Sequence, residues 1–92
     1  MKAVLLFHEK VVKESGAIIE VKIWKVPLSE KNPEGLKYSL VYIVGGERVI
    51  GYDNSEGKGH HRHFRDKETA YRFTSVDRLL SDFARDIEGV EG

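Results

Sequence analysis

The sequence predicts an α+β fold: an antiparallel sheet of four to five strands, arranged as two hairpins, with one C-terminal helix packed on one face. Three observations carry this expectation. Apolar and polar residues alternate with period two through residues 19–23, a Gly45-Gly46 pair separates two strand-like runs, and from Val76 onward the apolar period becomes helical.

Residues 3–12 and 17–26 read as strands joined by Glu14-Ser15-Gly16, where the glycine can take positive φ. In the second run Ile19, Val21 and Ile23 alternate with Glu20 and Lys22, as in a half-buried strand. The apolar parity shifts at Trp24 and Val26, which predicts a bulge or edge position near Trp24, and Pro27 ends the strand because it has no N–H to donate. Residues 28–35, LSEKNPEG, form a polar surface connection. Residues 37–44 and 48–52 make the second hairpin, with Tyr38, Leu40, Tyr42 and Val44 on one face; packing across strands is the expected role of the tyrosines, ahead of base stacking. Ala70-Tyr71-Arg72-Phe73 reads as a short strand. Val76, Leu79, Leu80, Phe83, Ala84 and Ile87 then line one face of a helix. Thr74 or Ser75 can cap its start, Asp77 stands at capping-box distance from Thr74, and Gly89 can supply a left-handed end. A helix with one apolar stripe needs a sheet to cover.

Ninety-two residues predict one domain, spanning 1–92. A composition 40% hydrophobic and 33% charged is that of a globular chain, too apolar for disorder. The absence of cysteine removes disulfides, thiolate ligands and thiol nucleophiles. The apolar run Val4-Leu5-Leu6-Phe7 is cut short by His8-Glu9-Lys10, and no stretch reaches the roughly 20 apolar residues of a membrane span, so a cytoplasmic protein without membrane association is expected. Fifteen basic and fifteen acidic side chains cancel, which argues against non-specific coating of nucleic acid. Their distribution is polarised: Lys58, Arg62, Arg65 and Lys67 against Asp66 in one segment, and Asp82, Asp86, Glu88 and Glu91 against Arg85 near the C-terminus.

The segment 51–65, GYDNSEGKGHHRHFR, gathers the groups that can do chemistry. Asp53 and Asn54 follow a strand, Gly57 and Gly59 flank Lys58, and His60, His61 and His63 are interleaved with Arg62 and followed by Arg65. If residues 61–64 are extended, His61 and His63 share a side and Arg62 and Phe64 take the other. One reading is an RNA-phosphate site: imidazoles serve as acid and base near neutral pH, Asp53 orients one of them, and Lys58, Arg62 and Arg65 hold the phosphate. A second is a metal site in which a His-x-His pair joins Asp53 or His60; the adjacent arginines oppose it, and no metal or other cofactor is expected. A third is a solvated loop whose histidines cluster without function.

At these residues the sequence resembles the TumE family of small toxin components of toxin–antitoxin pairs. The resemblance runs through an opening KAxLLFxEKVVxxxGAIIEVxIWxVP from Lys2 to Pro27, a GLKYxLxY strand from Gly35 to Tyr42, a GYDNxxGKGxHRH motif from Gly51 to His63, and YRFxSVxRLxxDFxxDI from Tyr71 to Ile87. The family pattern singles out Tyr52, Asp53, Asn54, Lys58, His61, Arg62 and His63, with Tyr71 and Arg72 downstream. His60 departs from it, standing where an acidic residue is common. The resemblance implies an antitoxin partner, a small DNA-binding protein encoded by the adjacent gene.

Three functions follow as expectations. The first is a toxin acting as a metal-independent ribonuclease, with His61, His63 and Asp53 catalytic, Lys58, Arg62 and Arg65 on phosphate, and Tyr52, Asn54, Tyr71 and Arg72 in support. The second is a non-catalytic module gripping a nucleotide, RNA phosphate or partner through the same basic loop. The third is a protein whose loop completes an interface, in a homodimer or with the antitoxin, marked by exposure of Trp24 or Tyr38.

Overall fold

The computed structural model describes residues 3–30, 32–54 and 59–91. Six strands form one open antiparallel sheet in sequence order: β1 (Val4–Val12), β2 (Ile18–Lys25), β3 (Leu36–Val44), β4 (Glu47–Asp53), β5 (His61–Phe64) and β6 (Lys67–Ala70); α1 (Val76–Glu91) follows. The α+β class is as expected, and the sheet is wider than the four to five strands read from sequence.

The extra width has a local cause. Residues 61–64 pair with β4 as a full strand, and the last strand is Lys67–Ala70 instead of residues 70–73. Lys67-Glu68-Thr69-Ala70 is polar and exposed, with no apolar alternation to mark it, as suits a short edge strand. Tyr71 and Phe73 are apolar for another reason: they leave the sheet and pack beneath the helix, Tyr71 edge-on to Tyr52 at 4.9 Å and Phe73 stacked on Tyr38 at 5.7 Å.

The hairpins form where glycine permits them. Gly45 and Gly46 both hold positive φ, 60° and 81°, as a type I′ turn requires, and Gly16 closes the β1–β2 connection at φ 89°. The irregularity expected near Trp24 lies on the facing strand, where Leu6 is inserted between Leu5, opposite Trp24, and Phe7, opposite Ile23. A second insertion places Val49 between the partners of Tyr42 and Ile43.

Val21 and Ile23 from β2, Tyr38, Leu40 and Tyr42 from β3, and Ile50 and Tyr52 from β4 form the sheet side of the core. Leu79, Phe83 and Ile87 cover them from α1. Val44, expected on the same face, lies beyond the helix and is exposed. The helix starts as expected at Ser75, whose hydroxyl accepts the Arg78 N–H at 3.1 Å. It does not end at Gly89: the helix runs through to Glu91, whose carboxylate accepts from Lys13 at 2.5 Å and from the Tyr42 hydroxyl at 2.7 Å. That anchorage to the β1–β2 turn and to β3 replaces the glycine stop.

β1 stands apart. All nine of its residues are exposed, including Phe7 at 44% and Val12 at 63%, and its outer edge has no partner strand among the described residues. Truncation should therefore cost very different amounts at apolar positions. Leu40→Ala, at a fully buried site under the helix, should lower the unfolding free energy by about 3 kcal/mol, and Val12→Ala by less than about 0.5 kcal/mol; urea titrations of the two variants measure both.

Candidate functional site on the open face of the sheet

Side chains alternate along β5, and the alternation divides the histidine–arginine segment between two faces. Arg62 and Phe64 turn toward α1, whereas His61 and His63 project from the face the helix leaves open. Register supplies their neighbours: Asp53 on β4 is opposite His61, Gly51 is opposite His63, and Glu68 on β6 is opposite His63 from the other side. The His61 Nδ1 lies 3.2 Å from Glu68 Oε2. His63 Nε2 lies 3.5 Å from Asp53 Oδ2 and 3.9 Å from Glu68 Oε2. Two imidazoles thus sit between two carboxylates. The His61 Nε2 is buried and has no hydrogen-bond partner among the described residues, an arrangement that costs a polar group about 1–3 kcal/mol.

The second nitrogen of His63 faces a cation. Arg48 Nη2 lies 3.2 Å from His63 Nδ1. Arg48 reaches it by lying across Gly51: a Cβ at that position would sit 3.0 Å from Arg48 Cδ and 3.4 Å from its Nε. Close passage of a side chain, not positive φ, is what glycine allows here.

Arg62 belongs to a different set of contacts. Its Nε donates to Asp86 Oδ2 at 2.8 Å and lies 3.1 Å from the Tyr52 hydroxyl, which donates to the same carboxylate oxygen at 2.6 Å. The Asp86 contact makes the guanidinium still harder to deprotonate. Burial, reinforced by the bond to Asp86, pushes the Tyr52 phenol well above its ordinary pKa. One helical turn earlier the Tyr71 hydroxyl donates to Asp82 at 2.5 Å, and Arg78 and Arg85 pair with the same carboxylate. Burial alone would raise the Asp82 carboxyl; the Tyr71 hydroxyl and the two guanidiniums outweigh it and hold it below the usual carboxylate range.

The other expected residues are dispersed. Asn54 continues the β4 edge with its side chain, accepting the Tyr38 N–H at 3.0 Å and donating to Leu36 O at 2.8 Å. His60 is packed on the helix side, stacked on Phe73 at 5.0 Å, with Nδ1 2.8 Å from the Tyr38 hydroxyl and Nε2 3.2 Å from Glu34. Arg72 is exposed beside a 420 Å³ cleft shared with Tyr71, Thr74, Arg78 and Asp82. Arg65 lines a 440 Å³ cleft with Glu47, Arg48, Val49 and Asp66, and is the residue other than glycine that holds positive φ, at 56°, among the described residues. Lys58 and Gly57 lie outside the described residues.

Sequence reasoning missed Arg48 and Glu68 on the open face, and Asp82 and Asp86 on the helix. The signal for Glu68 is its register: a two-residue turn at Arg65-Asp66 sets it opposite His63. Asp82 and Asp86 extend the row Leu79, Phe83, Ile87 at helical spacing, so the face that meets the sheet is rotated toward them and away from exposed Ala84. Arg48 carries no such signal, because the inserted Val49 reverses its parity.

Among the described residues no group of three or more His, Cys, Asp or Glu side chains is arranged to hold a metal ion, and no helix is long and apolar enough to cross a membrane. A six-stranded antiparallel meander backed by one helix, with a histidine–carboxylate cluster on the uncovered face, defines a small α+β protein whose candidate site lies on a sheet surface. The family profile described as Toxin TumE matches residues 2–91, and the chain belongs to that family. It is accordingly a toxin component, and the family implies pairing with an antitoxin. No curated protein and no solved structure matches it.

Two measurements check the electrostatic and backbone assignments. Asp82 has a depressed pKa when folded, so its contribution is present above the unfolded carboxylate pKa and is lost as pH falls through and below that range; the stability of Asp82→Asn should fall less steeply with acidification than that of the parent. Arg65→Gly relieves the left-handed backbone and should raise the unfolding free energy by about 1 kcal/mol, read from the urea midpoint.

Proposed function

We propose that this toxin cleaves RNA without a metal ion, at the open-face cluster centred on His61 and His63. The observation that carries the reading is the pair of imidazoles projecting together from β5 between Asp53 and Glu68, with Arg48 beside them. Cleavage by the neighbouring ribose needs a group to take the 2′-hydroxyl proton as that oxygen attacks phosphorus. It also needs a proton for the departing 5′-oxygen and donors for the phosphoryl oxygens. His61 with Glu68, His63 with Asp53 and the Arg65 guanidinium are groups of those kinds, and Arg48 is held against His63. Lys58, from the same sequence motif, is a further candidate for the phosphate.

Without turnover the same groups would make a phosphate-binding module. That alternative relies on Arg62 and Arg65 as free cations, and the engagement of Arg62 with Asp86 gives it less support. Tyr52 and Tyr71 support the site indirectly, by joining the sheet to the helix.

The antitoxin is proposed to add a strand to β1. That strand is long and largely apolar, and its outer edge has no partner among the described residues, while the opposite edge strand is short and charged. Trp24 is half-buried and Tyr38 buried, so neither supplies the aromatic surface expected of an interface. Phe7→Glu should weaken antitoxin capture at least 10-fold and leave RNA cleavage unchanged. Unchanged capture, or a variant that differs only in its own dimerisation, would move the partner elsewhere or make it a second copy.

The ribonuclease test is cleavage of total RNA in EDTA by the purified protein. Cleavage should persist in the chelator and fall at least 100-fold in His61→Ala and in His63→Ala proteins with unchanged circular dichroism. Arg62→Ala should lower stability more than activity. Cleavage that depends on a divalent ion, or that survives both histidine substitutions, would overturn the proposal.

A further inference from the structure

The geometry points to Arg48 as a positioning residue that holds His63 as a neutral imidazole with its proton on Nε2, and so divides the labour of the two histidines. The argument rests on donor and acceptor inventory. A guanidinium carries five N–H donors and no acceptor, so an Arg48 nitrogen 3.2 Å from His63 Nδ1 makes a hydrogen bond only if Nδ1 is bare. A neutral imidazole with a bare Nδ1 carries its proton on Nε2. That N–H faces Asp53 Oδ2 at 3.5 Å and Glu68 Oε2 at 3.9 Å, near enough to be oriented and too far to be used up in a hydrogen bond. A second proton would have to sit on Nδ1, against the guanidinium, and would expel Arg48.

Gly51 is part of the same device. It is the register partner of His63, and the missing Cβ lets the Arg48 stem lie flat across the strand on its way to the ring. Gly51 is absent from the positive-φ positions, so its value here is space and not backbone freedom. Gly51 opens the GYDNxxGKGxHRH motif, whereas Arg48 lies outside it.

The consequence concerns chemistry and rests on the ribonuclease reading. A neutral imidazole that keeps Nε2–H is a hydrogen-bond donor, suited to a phosphoryl oxygen, and neither accepts nor delivers a proton in that state. Proton transfer then falls to the exposed Glu68 carboxylate, which the His61 Nδ1 holds in place from 3.2 Å while its own Nε2 is buried. His63 donates, Glu68 exchanges the proton with His61 behind it, and Arg48 sets the first role without touching substrate.

The test is the two-bond ¹⁵N–¹H spectrum of the histidine side chains in labelled protein at neutral pH, with His63→Ala assigning the ring. His63 should give the single pattern of an Nε2–H tautomer. Arg48→Ala should convert it to a tautomer mixture. Gly51→Ala should do the same with the arginine still in the chain, since a methyl group 3.0 Å from Arg48 Cδ displaces the flexible side chain before the backbone. His61 should be unchanged in both. An imidazolium or Nδ1–H pattern for His63 in the parent, or no change in either variant, would overturn the inference. In RNA cleavage, Arg48→Ala should reduce kcat at least 10-fold with little change in KM. Spectra as expected with no cleavage by the parent would remove the ribonuclease reading and leave the tautomer assignment standing.

Discussion

The link among Tyr52, Arg62 and Asp86 joins three elements that would otherwise have weak reasons to stay together. β5 is four residues long and has a polar edge strand as its outer neighbour, so its ladder alone holds it loosely. The Asp86 carboxylate on α1 accepts from a buried β4 phenol and from the β5 guanidinium. The helix is therefore pinned to the sheet at the strand that carries the histidines. With Arg62 held inward, the pleat turns His61 and His63 outward. Removing the Asp86 carboxylate would leave the Tyr52 phenol and the Arg62 guanidinium without their shared acceptor, which is costlier than the mean worth of an ion pair suggests.

The same link explains the polarised charge of the chain. A basic segment near residue 60 and an acidic C-terminal helix cancel in composition, yet they meet in space through Arg62 and Asp86, 24 positions apart. The acidic surplus is used three times along the helix, at Asp82, Asp86 and Glu91, and each carboxylate receives a tyrosine hydroxyl from the sheet or its exit. Burial would favour protonating such carboxylates; the paired hydroxyls and cations favour keeping them ionised. For Asp82 and Glu91 the second effect wins.

Much of this was legible in the sequence, and the failures have physical causes. The β2 alternation, the glycine pair of the β3–β4 turn and the serine cap follow from local rules that tertiary contacts did not override. The facing of His61 and His63 follows from the period of a strand. Lys67–Ala70 was missed because an edge strand has no buried side to mark it, and residues 70–73 were misread because Tyr71 and Phe73 are apolar for packing under a helix. Gly89 stops nothing because Lys13 and Tyr42, distant in sequence, hold the last turn. Arg48 was invisible because a one-residue insertion switches its face, and insertions leave no trace in a hydropathy pattern.

Arg48, Gly51 and Arg65 together suggest how a small scaffold carries its site. Arg65 occupies a turn position that glycine would fill with less strain, and Gly51 occupies a strand position where a side chain would add packing and order. Both choices run against stability: Gly51 lies beneath the Arg48 stem, and Arg65 lines a cleft with Arg48 while its own guanidinium lies over the Phe64 ring. The helix side of the sheet shows the opposite economy, with aromatic stacking and paired carboxylates throughout. A local rule broken at Gly51, next to two histidines, is what a site looks like when its arrangement is maintained at the expense of the fold. On that view the gap at Gly51 has its origin in the need to keep a cation on the open face within reach of His63.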